Sequence, residues 1–283
     1  MLAKMNRILI LGGNGLIGSK LQLMLSKSSD YSVRNIDKDT IDLCSENIIS
    51  SFQEQIEDFD PTITIVLAAV KRQLGDNIDT MKKNNMITKN ITNCLSNTSS
   101  KVIYLSSCAV FGEKNQQDNY TEESPISPTS NYGEHKSLSE RAYVSQIDSK
   151  RLLILRPPLI YDLFETSGYH PGGFLYSSIK DKKIQIWGNG VELRDFLYLE
   201  DACNVIIDLI KREVTGIINL TTGNSFSYIN IAQHIAQKME ISIIERPRTG
   251  VIVNHTYNNS KLMSYLPEYI FKSPIEILSS YFE

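Results

Sequence analysis

Arg7-Ile8-Leu9-Ile10-Leu11-Gly12-Gly13-Asn14-Gly15-Leu16-Ile17-Gly18 decides the fold. Ile8 to Leu11 is an uninterrupted apolar run, the pattern of a parallel strand buried on both faces. Glycines follow at GxxGxxG spacing as Gly12, Gly15 and Gly18. From Gly15 the pattern turns helical, with Ile17, Leu21, Met24 and Leu25 at i, i+4, i+7 and i+8. Such a turn needs residues tolerant of positive φ and lets the backbone come close to a pyrophosphate. It also aims the free N–H groups and positive dipole end of a helix at the anion.

Working outward, Val33 to Asp37 reads as the second strand, and Asp37 lies 19 residues past Gly18. A carboxylate at that place takes the hydroxyls of an adenosine ribose, so the segment predicts dinucleotide binding. Asp37 would repel a 2′-phosphate, which favours NAD; Arg34 and Lys38 beside it keep NADP open. Ile48 to Phe59 reads as a helix ended by Pro61, and Thr62 to Ala68 as a strand. A long helix over about 76–96 carries Ile87, Ile91, Cys94 and Leu95 on one face. Lys101 to Leu105 is read as the fifth strand, 131–147 as a helix, and Arg151 to Leu155 as the sixth strand. Repeated βαβ units predict an α/β fold, a Rossmann-type doubly wound parallel sheet. After Pro157-Pro158 the pattern loosens, with helices expected at about 174–182, 201–211 and 228–239. The expected division is a dinucleotide-binding domain over 1–160 and a small C-terminal substrate lobe over 161–283, interleaved with the end of the sheet.

The 283 residues carry a net charge of −3, so no bulk basic field exists to draw nucleic acid. Cys44, Cys94, Cys108 and Cys203 lack CxxC spacing and read as free thiols of a reducing compartment. His135, His170, His234 and His255 form no HxxxH or HExxH pattern, so no metal site is expected. No run reaches the ~18 apolar residues of a membrane span, and Met1 to Arg7 lacks the apolar stretch of a signal peptide. A cytoplasmic protein is expected.

Tyr132-Gly133-Glu134-His135-Lys136 places a phenol and an ammonium one helical turn apart. A phenol with a reference pKa of ~10 is a weak acid near neutrality. A cation beside it favours the phenolate, and the pair can then exchange a proton while a hydride moves. Two other YxxxK matches occur, Tyr176 with Lys180 and Tyr257 with Lys261. Only Tyr132 has a serine partner of the right kind: Ser107, 25 residues upstream, just past the Lys101 to Leu105 strand. The carboxyl ends of parallel strands are where open α/β sheets bind ligands. The other two pairs read as surface coincidences.

With these residues the chain resembles the extended short-chain dehydrogenase/reductases of the NAD-dependent epimerase/dehydratase family. The resemblance includes Gly12 to Gly18, with Leu16 and Ile17 in the loop, Asp42-Leu43 after a third strand, and Leu67-Ala68-Ala69 after a fourth. It continues through Asn85, Ser107, Tyr132, Lys136 and Arg156-Pro157. It implies that Asp42-Leu43 contacts adenine, that Leu67 to Ala69 and Asn85 lie along the cofactor, and that Lys136 also holds the nicotinamide ribose. Lys71 resembles a cofactor-side lysine of sugar 4-epimerases. Farther on, Ile186-Trp187-Gly188-Asn189-Gly190 leads to Arg194-Asp195-Phe196, similar to a family motif whose Arg binds the diphosphate of a nucleotide-sugar. The bland alternative is an ion pair of Arg194 with Asp195 or Asp201. Arg246-Pro247 resembles a second diphosphate-binding site. Where the family's dehydratases carry Asp-Glu, this chain has Cys108-Ala109, which argues against 4,6-dehydration. The C-terminal Asp-x-Ser-Lys of many members is here Asn258-Asn259-Ser260-Lys261.

The resemblance therefore implies NAD-dependent redox chemistry at C4 of a nucleotide-diphosphate sugar, by a 4-epimerase or a 4-ketoreductase. Ser107, Tyr132 and Lys136 would be catalytic, and Ser107, Arg194 and Arg246 would bind substrate. A homodimer through the helices at 76–96 and 131–147 is implied too. Two alternatives stay open: a dehydrogenase of a non-nucleotide alcohol, and a non-enzymatic dinucleotide sensor, which would ordinarily have lost the Tyr or the Lys.

Overall fold

In the computed structural model, which describes residues 5–69, 75–115, 117–165, 170–248 and 250–283, Ile8, Leu9, Ile10 and Leu11 are wholly buried. They belong to β1 (Asn6–Leu11), followed by α1 (Leu16–Leu25), β2 (Tyr31–Ile36), α2 (Ile49–Phe59), β3 (Ile63–Val66), α3 (Ile78–Leu95) and β4 (Lys101–Leu105). Then come β5 (Gln117–Tyr120), α4 (Asn131–Gln146), β6 (Leu152–Arg156), β7 (Leu159–Tyr161), α5 (Pro171–Asp181), β8 (Lys183–Trp187), β9 (Leu193–Tyr198) and α6 (Leu199–Lys211). The chain ends in β10 (Gly216–Asn219), β11 (Ser225–Ser227), α7 (Tyr228–Met239), β12 (Ser242–Arg246), β13 (His255–Tyr257), α8 (Ser260–Tyr265) and α9 (Pro274–Phe282).

The central sheet has six strands in the order β2-β1-β3-β4-β6-β10. Its ladders from β2 through β6 are all parallel. Crossover helices connect them, as the apolar runs and helical periods require. The third strand expected ahead of Thr62 is not there: among the described residues, 37–48 form turns. Lys101–Leu105 is accordingly the fourth strand of the chain rather than the fifth.

The helices start and stop for local reasons. Asn77 caps α3, its side chain accepting from Thr80 N–H, with Asp79 in the first turn. Ser130 caps α4 in the same way, accepting from Gly133 N–H. α2 ends on Asp60 in the left-handed region (φ 47°), just before Pro61.

The chain divides into two compact units. One comprises residues 1–112, 125–156 and 203–218, and the other 113–124, 157–202 and 219–283. The first is built on the sheet; its core includes Leu9, Leu11, Phe52, Ile91, Tyr104, Tyr143 and Ile154. The second holds small sheets of its own, β11-β9-β7, β12-β8 and β13-β5. Its core is formed by Tyr161, Phe174, Ile184, Ile186, Phe196, Ile231, Ile235 and Leu278.

Candidate active site

The glycine loop has the shape an anion site needs. Gly12 has φ +88°, and a Cβ there would stand 2.9 Å from the Ala68 backbone, so the loop lies against the end of β3. A Cβ on Gly18 would sit 2.5 Å from Gly13 Cα, so only glycine lets the helix start this close to the turn. α1 opens from Gly15 with no side-chain cap and no acidic residue in its first turn. Its first N–H groups therefore face an incoming anion without an internal competitor. These features fit the pyrophosphate of a dinucleotide.

Asp37 follows β2 directly. Hydrogen bonds from the Thr40 backbone foremost, with others from Thr40, Asp39 and Asn14, hold its carboxyl below the usual range. Arg34, which might have attracted a 2′-phosphate, is turned to Asp58 (2.7 Å) and over the Phe59 ring (4.6 Å). That cation is thus not turned to offset the repulsion between Asp37 and a 2′-phosphate, which supports NAD over NADP. Asp42 accepts from Cys44 N–H (3.1 Å) within its own turn, and Leu43 is buried in the core. Leu67, Ala68 and Ala69 run on from β3, with Leu67 N–H donating to Leu11 carbonyl (2.9 Å). Lys71 lies outside the described residues.

Ser107, Tyr132 and Lys136 are brought to one end of the sheet by β4 and α4. Ser107 leaves β4 in an extended conformation, and its Oγ accepts from Ala109 N–H at 3.1 Å. Lys136 is buried; its Nζ donates to Leu105 carbonyl at 2.7 Å. The ammonium stands 4.9 Å from the Tyr104 ring centre and 5.9 Å from that of Tyr132. Desolvation pulls the Lys136 pKa down to about 8, against the opposing charge of Glu140. Tyr132 N–H donates to Asp76 Oδ1 (2.9 Å), and Tyr132 shares a shallow depression with Asp76, Asn84 and Asn131.

Several residues that shape this arrangement are not among the sequence candidates. A Cβ on Gly133 would stand 2.5 Å from Ala109 carbonyl, so this glycine lets the Tyr132 turn pack onto the turn after Ser107. Behind them lies a buried ion pair: Arg156 Nε and Nη2 donate to the two Glu140 oxygens at 2.9 and 2.7 Å. Ser106 Oγ donates to the same carboxylate at 2.5 Å. The group ties the ends of β4 and β6 to α4, one turn past Lys136. Glu140 at i+4 from Lys136 was a legible signal; its partner 16 residues on was not. Asn85, the sequence candidate, faces His135 Nδ1 (3.4 Å), while its neighbour Asn84 lines the depression beside Tyr132. No carboxylate occupies the Cys108-Ala109 places: Cys108 Sγ donates to Arg156 carbonyl at 3.2 Å, deep in the protein.

In the second unit, Arg194 Nη1 donates to the carbonyls of Leu193 (2.8 Å) and Val253 (2.6 Å), and its guanidinium lies 5.7 Å from the Tyr228 ring centre. The expected alternative partners are engaged elsewhere. Asp195 accepts from Thr222 and Gly223, and Asp201 from Tyr269 and Lys272 N–H. Arg194 thus forms no ion pair among the described residues. Arg246 is exposed, over the Trp187 ring at 5.7 Å. The other Tyr-Lys pairs differ from each other: Tyr176 and Lys180 sit on α5 with the ammonium 5.4 Å from the ring centre, whereas Tyr257 is a buried residue of β13 and not a surface one. His170 caps α5, its Nδ1 accepting from Gly173 N–H (3.2 Å).

The sequence is 24% identical over 256 residues to GDP-6-deoxy-D-talose 4-dehydrogenase of Aggregatibacter actinomycetemcomitans, covering 88% of this chain and 85% of that protein. It is 21% identical over 252 residues to UDP-glucuronic acid decarboxylase 1 of Danio rerio, covering 81% of this chain and 60% of the relative, so it spans about three fifths of that protein's length. The fold matches UDP-glucuronic acid 4-epimerase of Bacillus cereus, in complex with UDP-glucuronic acid and NAD, at a TM-score of 0.82 and 20% identity over 98% of both chains. The sequence model of the NAD dependent epimerase/dehydratase family matches residues 8–221. The chain therefore belongs to the NAD-dependent epimerase/dehydratase family.

Proposed function

We propose that this protein oxidises or reduces C4 of a nucleotide-diphosphate sugar, with Tyr132 as the acid–base group. NAD bound along the glycine loop supplies the hydride acceptor or, when reduced, the donor. The observation that carries the reading is Lys136, a buried ammonium fixed between Leu105 carbonyl and the rings of Tyr104 and Tyr132. A cation held there stabilises the Tyr132 phenolate, which takes the proton of the C4 hydroxyl or, in reverse, returns it to the C4 ketone. Ser107 Oγ donates to the same oxygen and fixes its position. Cys108 and Ala109 offer no carboxylate to eliminate water, so the reading is redox without dehydration.

Two outcomes share this machinery. In a 4-epimerase the hydride returns to the other face of C4; in a 4-ketoreductase the reaction stops after one transfer. The cofactor content of the freshly purified protein separates them. Near-stoichiometric NAD in the supernatant after denaturation favours the epimerase, tested next with UDP-hexoses. An empty protein favours the reductase, tested with nucleotide-linked 4-keto-6-deoxyhexoses and NADH.

For the nucleotide end, Arg194 is the assigned diphosphate ligand, with Arg246 as a second. Arg194 is oriented by two backbone carbonyls rather than neutralised by a carboxylate, which leaves its charge for a phosphate. UDP, dTDP or GDP should raise the Tm of the wild type, and Arg194→Ala should lose most of that shift. No shift in the wild type with any of the three would favour a non-nucleotide substrate.

A further inference from the structure

Asp37, the carboxylate at the place for an adenosine ribose, already has all its acceptor sites engaged. Its Oδ1 accepts from Asp39 N–H (3.0 Å), Thr40 N–H (3.1 Å) and the Thr40 hydroxyl (3.1 Å). Its Oδ2 accepts from the side-chain amides of Asn14 and, at 3.1 Å, Asn35. An ionised carboxylate has about four lone-pair sites. A ribose diol brings two further O–H donors, so at least one present donor must leave when a dinucleotide binds.

The donors are not equally replaceable. Those of Asp39 and Thr40 belong to the turn that begins at Asp37 itself. Asn35 projects from β2 and is anchored at its other end, its Oδ1 accepting from Gly13 N–H at 2.7 Å. The fit is close enough that a Cβ on Gly13 would stand 2.2 Å from Asn35 Oδ1. The glycine loop is pinned from α1 as well, where Gln22 Nε2 donates to Gly13 carbonyl at 2.8 Å. Asn14, by contrast, is an exposed side chain held only through its amide, which also accepts from Asn35 Nδ2 at 3.1 Å.

We propose that Asn14 is a displaceable stand-in for a ribose hydroxyl, whereas Asn35 is the fixed residue that aims the Asp37 carboxylate, so that the two asparagines set cofactor affinity in opposite directions. Asn14 lowers affinity because its amide must be exchanged for the ribose. Asn35 raises it by joining the phosphate loop and the carboxylate into one preformed unit. Both are positioning residues, and the inference rests on NAD binding at this loop.

The test is calorimetric titration of NAD into full-length protein stripped of cofactor, for the wild type, Asn14→Ala and Asn35→Val. Loss of one competing hydrogen bond should lower the Kd of Asn14→Ala by about three- to tenfold. Asn35→Val should raise the Kd by about tenfold. A structural role in the loop would weaken binding in both variants, so the opposite signs are the diagnostic result. The gain in Asn14→Ala should persist for ADP and vanish for 2′,3′-dideoxy-ADP, which lacks the ribose donors. An Asn14→Ala protein that binds NAD no tighter than the wild type would overturn the proposal, whether or not Asn35→Val folds. A stripped wild type that binds no NAD at all would instead overturn the cofactor site on which it rests.

Discussion

Tyr132→Phe is expected to lower kcat by about 10²–10⁴-fold, the range for losing a general acid–base group, while the protein still binds NAD. Removing the hydroxyl takes away the only atom of this side chain that can carry the proton. It leaves in place the ring beside Lys136 and the Tyr132 N–H bond to Asp76. The Lys136 contact with Leu105 carbonyl does not involve Tyr132, so the ammonium should stay where it is. Single-turnover oxidation of a nucleotide-sugar, read as NADH absorbance, isolates the chemical step from product release. A Phe variant that turns over at a rate close to the wild type would remove Tyr132 from the mechanism.

The second large effect falls on stability. Arg156→Met should destabilise the protein by about 3–5 kcal/mol, because it leaves the Glu140 carboxylate buried without its cation. Both side chains of this pair are less than a tenth exposed, so solvent cannot take over from the lost guanidinium. In a chain of this size that corresponds to a fall in Tm on the order of 10 °C. Arg156→Met combined with Glu140→Met removes both charges and should recover much of the loss, since a buried pair replaced by apolar groups is often near neutral. Thermal unfolding of the two single variants and the double variant checks this. A single variant within about 1 kcal/mol of the wild type would show that water reaches Glu140.

The parts of the fold that were legible in the sequence are those where local chemistry and tertiary role coincide. Ile8 to Leu11 followed by glycines can hardly be anything but a buried strand entering a phosphate turn, and that is what forms. The absent third strand shows the opposite case. A strand was expected between Asp37 and Asp42, but Asp37 accepts from the Asp39 and Thr40 N–H groups, Asp42 accepts from Cys44 N–H, and Asn90 of α3 donates to the carbonyls of Leu43 and Ser45 just beyond. Side chains satisfy the backbone groups that a ladder would have used. No local signal marks this, because Asn90 is more than forty residues away.

The candidate site divides in the same way. Ser107, Tyr132 and Lys136 could be read from spacing along β4 and α4. The choice between Asn84 and Asn85 depends on the rotation of α3 against α4, which an adjacent pair of identical residues does not reveal. Gly133 was in plain view inside the Tyr-Lys motif, but its use depends on the approach of Ala109 carbonyl. In the sequence Arg156 stands out only as part of Arg156-Pro157 in the family resemblance, whereas its structural partner is Glu140 on the preceding helix.

The order of the chain has a consequence for how this protein is made. By the time Arg156 has left the ribosome, five of the six strands of the central sheet have been synthesised, yet the outermost, Gly216–Asn219, has not. The strand it will flank, Leu152–Arg156, is buried along its whole length in the finished molecule. During translation of residues 157–215 that strand is therefore a bare, apolar edge, open to pairing with another nascent chain. Ribosomes stalled in that window should yield products that bind chaperones and aggregate. Those stalled with the Gly216–Asn219 strand clear of the exit tunnel should yield a protease-resistant core.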